Sequence, residues 1–192
     1  LAEEFFLPLG MDDTYYCSER AVRAGRAHGY DGSPGGLLRG AYLDPTWPDA
    51  AGSLCSTVGD LVRWNQPLHG GRVLSESSYQ AMITPMALED GTPTRYAMGL
   101  GISGEGVHRT IAHGGGINGF LSDGRYYPEG GLLVVVLQNS TGPQGPSALG
   151  AALADAILGP PPELVGRPFT GNLHELVGSY TGPARGRSLT LD

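Results

Sequence analysis

The residues best equipped to do chemistry in this chain are His113-Gly114-Gly115-Gly116-Ile117-Asn118-Gly119-Phe120. A histidine and three glycines after a strand-forming run can bring bare backbone against a ligand, where a Cβ would stand in the way. Main-chain N–H groups on such an edge can receive the charge that develops on an acyl carbonyl, forming half of an oxyanion hole. Taken alone, the same run also describes a glycine-rich hairpin whose histidine is satisfied by backbone. Other polar residues point to less. His28 and His69 read as solvated loop residues, Asp60 as a helix cap and Glu129 as a turn carboxylate. His108 and His113 fall on one strand five residues apart, on opposite faces, so they make no metal pair. Cys17 and Cys55 have neither metal-ligand spacing nor a CxxC arrangement, and read as two small residues without a redox role. No metal or cofactor is called for.

Positioning that run requires a folded frame, and the pattern supplies one. Residues 1–6 resemble the last turns of a helix entered midway, and Pro8 forbids its continuation. Residues 15–50, rich in Gly, Pro, Asp and Tyr, form a long surface excursion of the kind often used as a lid or binding loop. A helix begins at Ser56 or Thr57 with Asp60 near its third position; Val58, Leu61, Val62 and Leu68 mark its buried face. A second is capped by Ser75, carries Tyr79, Met82 and Ile83 on its apolar side, and stops at Pro85. From Tyr96 the period becomes that of strands: 96–102, 107–113, 120–127 and 132–138, joined by short links that favour antiparallel hairpins. Leu132 to Leu137 is apolar throughout, so that strand is expected to be buried on both faces. A helix over 147–158, with Leu149, Leu153, Ile157 and Leu158 on one side, can cover one of them. The fold class is therefore α+β, an antiparallel sheet flanked by helices.

Composition excludes several functions. The chain has 192 residues and a net charge of −7, which argues against a nucleic-acid partner. No apolar run is long enough to span a membrane. All 12 cationic side chains are arginine, and there is no lysine. A mechanism that needs a lysine base must take it from elsewhere. Thirty-two glycines and 15 prolines sit between periodic segments, as in a loop-rich folded domain. Gly159-Pro160-Pro161-Pro162 is a stiff linker, dividing residues 1–159 from a segment over 160–192 with strand patterns at 176–180 and 188–191. That segment is too short to bury a core alone and reads as the start of a β-rich part.

Four runs in order carry a family resemblance. Phe6-Leu7-Pro8-Leu9-Gly10-Met11-Asp12-Asp13-Thr14 is similar to the F-x-P-L-G-M-x-x-T segment of the class C β-lactamase-like and D-alanyl-D-alanine carboxypeptidase family. Ala51 to Leu61 resembles its G-G-L-x-S-T-x-x-D-L helix start, and Tyr96 to Gly101 its Y-G-x-G strand. His113-Gly114-Gly115 stands in the place of its third motif, K-T-G or H-x-G. The resemblance covers about residues 5–158 and implies the C-terminal part of a β-lactamase/transpeptidase-like catalytic domain. Such enzymes cleave amides or esters through an acyl-serine. It implies that Gly116 supplies an oxyanion-hole N–H and that His113 orients substrate or tunes a proton relay. Gly114 and Gly115 would line the substrate site, and Asn118 would either line its entrance or serve the turn that follows the strand.

The departures are as informative. The S-x-x-K motif cannot exist here, and the second motif, Y-x-N or similar, has no match in the right order. Histidine in the third motif is more like the peptidase and esterase branches than the β-lactamases. The leading expectation is part of a serine hydrolase of penicillin-binding protein, DD-peptidase or esterase type, acting on a small-molecule or peptide substrate, with its nucleophile outside this chain. The competing readings are a non-catalytic binding module, or a small protein that pairs with another chain to rebuild the site. Either way, association with another chain or with an N-terminal part is expected.

Overall fold

The computed structural model describes residues 1–18, 20, 22–162, 170–172, 177–181 and 188–191. The chain divides into two compact units, Leu1–Pro161 and Pro162–Asp192.

The first unit opens with a π-helical turn, Ala2–Phe6, which ends before Pro8 as expected. Phe5 lies edge-on to Trp64, ring centroids 5.4 Å apart. Strand β1 (Tyr15–Tyr16) pairs antiparallel with β4 (Leu54–Cys55), bracketing the long excursion. That excursion contains a hairpin, β2 (Tyr30–Ser33) and β3 (Gly36–Arg39). Helix α1 (Val58–His69) starts at Thr57, whose hydroxyl accepts the Asp60 N–H at 3.2 Å. Leu68 is buried and Leu61 and Val62 half-buried, but Val58, in the first turn, is 44% exposed and does not belong to the packed face. Helix α2 (Glu76–Ile83) is capped by Ser75.

A four-stranded antiparallel sheet follows in the order β5 (Gly101–Ser103), β6 (Thr110–Ile117), β7 (Phe120–Tyr127) and β8 (Leu132–Gln138). The last two match the sequence pattern residue for residue. The first two differ from it. Gly99, at φ +76°, folds Ala97–Leu100 into a turn, so only Gly101–Ser103 of the expected 96–102 strand pairs. Gly104 and Gly106, at φ +71° and +54°, bend residues 106–108 into a short 3-10 turn. His108 therefore sits in that turn and not on a strand with His113.

One face of the sheet packs on helix α3 (Pro146–Leu158). Tyr127, Val134 and Val136 meet Ala154, with Leu132 and Leu158 at the margin. Each such aliphatic side chain contributes about 1.5–3 kcal/mol when fully buried. The rotation of α3 corrects the expected apolar side: Leu149, Leu153 and Ile157 are 47%, 47% and 66% exposed and turn away from the sheet. Small residues face the sheet because the Asp123–Arg125 ion pair, 2.6 Å long, lies under the helix. A Cβ at Gly150 would stand 2.9 Å from the Asp123 carboxylate and 3.1 Å from Arg125 Nε. The pair holds Arg125 more firmly protonated than an ordinary arginine.

The opposite face is covered in part by α1, which lies against β8. Two helices thus share the sheet where the pattern suggested one. His69, expected in a solvated loop, is the last residue of α1; its ring stacks on Tyr126 at 4.1 Å and its Nδ1 hydrogen-bonds the Tyr79 hydroxyl at 2.8 Å. Burial pushes its pKa down to about 4.

Cys17 and Cys55 form a disulfide, correcting the expectation of two unpaired residues. The β1–β4 pairing brings their Cα atoms to 5.4 Å although 38 positions separate them. Such a bond belongs in an oxidising compartment.

In the second unit β9 (Gly178–Thr181) pairs antiparallel with β10 (Ser188–Leu191). Leu176, expected to begin the first of these strands, lies outside the described residues.

Candidate active site

The first two runs of the family-like pattern meet in a buried network. Asp60 is 1% exposed, and its carboxylate accepts the Asp13 N–H at 2.9 Å and the Thr14 hydroxyl at 2.8 Å. Thr14 also shares a hydrogen bond with Ser56 at 2.7 Å, and Arg63 reaches the other carboxylate oxygen at 2.9 Å. Asp60 thus caps nothing with its side chain. It latches the Met11–Thr14 segment to the start of α1, a structural role.

On the sheet, His113 lies in the middle of β6, with Gly114, Gly115 and Gly116 continuing the strand; all four are exposed. One side of this run is paired to β7, opposite Gly124, Asp123, Ser122 and Leu121. The glycines have cross-strand reasons to be glycine. A Cβ at Gly115 would stand 2.6 Å from the Ser122 hydroxyl, and one at Gly116 would stand 3.3 Å from Leu121.

Alternate residues of an antiparallel strand direct their N–H and C=O groups to opposite edges. The two-residue turn Asn118–Gly119 makes Ile117 and Phe120 the closing pair, so Ile117, Gly115 and His113 turn their main-chain groups to β7. Gly114 and Gly116 present theirs to the other edge. There β5 pairs only as far as Ala112, and among the described residues nothing else pairs with the strand beyond it. Two consecutive outward N–H groups therefore stand on an open edge beside the His113 ring.

Tyr96 completes this arrangement. Its hydroxyl is 2.9 Å from His113 Nε2, and the two rings are 6.0 Å apart and tilted by 59°. The sequence places Tyr96 in the third recognisable run without giving it a role. Seventeen positions separate the pair, and only the Ala97–Leu100 turn followed by the β5–β6 hairpin brings them together.

Asn118 donates its side-chain amide to the Ala41 carbonyl at 3.0 Å, tying the excursion to the β6–β7 turn. Gly119 repeats that tie with its backbone. At φ +74° it packs so closely that a Cβ would come within 2.6 Å of the Gly29 carbonyl carbon and the Tyr30 nitrogen. The long excursion is thus strapped beside the strand that carries His113. His28 remains exposed, hydrogen-bonded to Arg39 at 3.0 Å, and Glu129 is an exposed turn residue. A shallow groove of about 560 Å³ between Leu37 of β3, the end of β8 and Leu149 lies two strands away from β6 and shares no residue with this site. Among the described residues no cluster of His, Cys, Asp or Glu could hold a metal ion, and no helix is long and apolar enough to cross a membrane.

With fold and geometry in hand, comparison with known proteins defines the class. Residues 1–158 match the model of the beta-lactamase family, and the chain belongs to that family of serine hydrolases. It is 29% identical over 138 residues to a D-aminopeptidase of Cereibacter sphaeroides, a match that covers 72% of this chain and 27% of that protein. It is 30% identical over 150 residues to an unguisins hydrolase of Aspergillus campestris, covering 72% of this chain and 28% of that one. Among solved structures it is similar to the octameric penicillin-binding protein homologue from Pyrococcus abyssi, with a TM-score of 0.68 and 25% identity over 84% of this chain and 37% of that one. The D-amino acid amidase from Ochrobactrum anthropi SV3 gives a TM-score of 0.62 and 26% identity over 74% of this chain and 44% of that one. The chain spans between a quarter and two fifths of the length of the curated relatives it matches.

Proposed function

We propose that this chain forms the third-motif wall of the active centre of a serine hydrolase that cleaves amide or ester bonds through an acyl-enzyme. The serine and its base come from outside these 192 residues. The observation that carries this reading is the open edge of β6, where Gly114 and Gly116 direct N–H groups away from β7 beside an exposed histidine.

In this reading a serine Oγ attacks the substrate carbonyl, and the oxyanion that forms is received by the Gly116 N–H together with a donor from outside the chain. Donors of this kind are worth about 10²–10³ in kcat because they are already oriented when the charge appears. The leaving amine or alcohol takes a proton and departs, and water then attacks the acyl-serine to release the acid. His113 borders this path and orients the substrate. Gly114 and Gly115 form the bare floor, and Asn118 holds the excursion that flanks it. Histidine in the third motif, with relatives named D-aminopeptidase and D-amino acid amidase, supports amides of small or peptide substrates before β-lactams.

The test is kinetic. The gene product extended upstream of Leu1 is assayed on aminoacyl amides, short esters and a penicillin, with and without His113→Ala. Turnover of an amide or ester, reduced at least about tenfold in kcat/KM by the substitution, supports the reading; that lower bound corresponds to about 1.4 kcal/mol, the weight of one lost hydrogen bond to the substrate. An extended product with no S-x-x-K motif and no turnover supports the alternative, a binding module that keeps the wall without the chemistry. The absence of lysine from residues 1–192 is the observation behind that alternative.

A further inference from the structure

We infer that Tyr96 is a positioning residue that fixes the proton of His113 on Nδ1 and so leaves that N–H as a donor for the substrate. The tautomer assignment stands on the Tyr96–His113 contact and the donor strength of a phenol; its catalytic use rests on the hydrolase reading above.

Tyr96 is half exposed, yet its backbone is held from several directions. Its carbonyl accepts the Met86 N–H at 3.1 Å and the Thr94 hydroxyl at 3.1 Å, and its own N–H reaches Thr94 Oγ1 at 3.3 Å. The following turn closes through Ala97 N–H to the Leu100 carbonyl at 2.8 Å, with Gly99 in the left-handed region. An isolated bridge then pairs Tyr96 with Gly101. A surface tyrosine with so constrained a main chain has little freedom except in its ring, and the ring ends on His113 Nε2 at 2.9 Å.

The direction of that bond follows from chemistry. A phenol is a good donor and a poor acceptor, whereas the bare nitrogen of neutral imidazole is a strong acceptor. The favoured arrangement has the Tyr96 O–H donating to Nε2, which requires the imidazole proton to sit on Nδ1. The hydrogen bond made by one ring nitrogen thus decides the state of the other. Nδ1–H has no partner among the described residues and remains a donor for a substrate carbonyl or carboxylate. A third group that orients a catalytic imidazole is a recurring arrangement in acyl transfer. Here the orienter is a neutral phenol, so it fixes geometry and tautomer without adding charge to the site.

The test is long-range ¹H–¹⁵N correlation NMR of the histidine side chains in their neutral form. In the unsubstituted protein we expect Nδ1 protonated and Nε2 bare. Tyr96→Phe should move the tautomer ratio about fivefold toward the Nε2–H form that free imidazole prefers in water, the weight of one ordinary net hydrogen bond. The thermal midpoint should fall by no more than about 2–4 °C, the same single bond counted as stability. A His113 that already carries its proton on Nε2, or a ratio unchanged by Tyr96→Phe in a folded protein, overturns the inference. In the extended hydrolase the same substitution should lower kcat/KM about fivefold. The expected tautomer without any turnover would leave the inference standing and sink the hydrolase reading.

Discussion

Asp60→Ala is the perturbation whose cost can be worked out most completely. The carboxylate is 1% exposed and accepts two hydrogen bonds, from the Asp13 N–H at 2.9 Å and the Thr14 hydroxyl at 2.8 Å. Bonds to a charged group contribute about 1.5–3 kcal/mol each. Two discounts apply. Thr14 keeps its bond to Ser56, and Asp13 is exposed enough for water to reach its freed N–H. The Arg63 pair adds little, since that side chain is 55% exposed and such pairs are worth about 0–1 kcal/mol. The net loss is about 3 kcal/mol, or about 6–12 °C in thermal midpoint for a domain of this size. The Thr57 cap is not at stake, because it accepts from the main-chain N–H of residue 60 and survives the substitution. The assay is thermal unfolding followed by circular dichroism, with Thr14→Val and the double variant completing a cycle. A coupling of about 1.5–3 kcal/mol between Thr14 and Asp60 is expected. A loss below about 1 kcal/mol, or strictly additive single changes within about 0.5 kcal/mol, would refute the latch.

Replacing Cys17 and Cys55 with serine frees a 38-residue loop and should cost up to about 4 kcal/mol, measured by denaturant unfolding against the oxidised protein; no change in midpoint would contradict the cross-link. His69 is held neutral in the folded state with a pKa near 4, so between pH 6.5 and about 4 the unfolded chain binds the extra proton; stability should fall on acidification through that window, and His69→Phe, which keeps the stacked ring, should flatten the slope. Gly119→Ala should loosen residues 28–41 and destabilise the protein by about 1–3 kcal/mol, because that position combines φ +74° with a 2.6 Å approach to backbone; hydrogen exchange over the β2–β3 hairpin reads it directly. Leu149, Leu153 and Ile157 form an exposed stripe on α3, so sedimentation of the isolated chain should reveal association, and a clean monomer at high concentration would count against a covering partner.

What could be seen in the residues was local. Strand β8 is a run of leucine and valine, β7 begins and ends on aromatic residues, both are bounded by turn residues, and the caps at Thr57 and Ser75 announce themselves by type and position. The His113–Gly116 run stands out through its place in the order of family-like runs, since alone it describes a glycine-rich hairpin equally well, and the strand carries on through the glycines to Ile117 where the pattern ended it at His113. What stayed hidden was long-range or rotational. Nothing in a 38-residue separation reveals that β1 pairs with β4, so the disulfide was missed. The Leu149, Leu153 and Ile157 stripe looks like a core face by periodicity, and only the Asp123–Arg125 pair beneath Gly150 explains why the helix turns its small side inward. Positive φ at Gly99 shortens the first expected strand to Gly101–Ser103, and positive φ at Gly104 and Gly106 moves the start of the second to Thr110, from which it runs on to Ile117. Tyr96 could be read as part of a motif, but its partner is fixed by two successive turns that no local pattern specifies.

The proposed function puts the wall of the site in this chain and the nucleophile outside it. Intact-mass analysis after treatment with a fluorophosphonate tests that division most directly, comparing the 192-residue chain with the product extended upstream of Leu1. The account predicts an unmodified mass for the chain alone and a single adduct on the extended protein, at a serine of an S-x-x-K motif outside these residues. A stoichiometric adduct on any serine between Leu1 and Asp192 would contradict it.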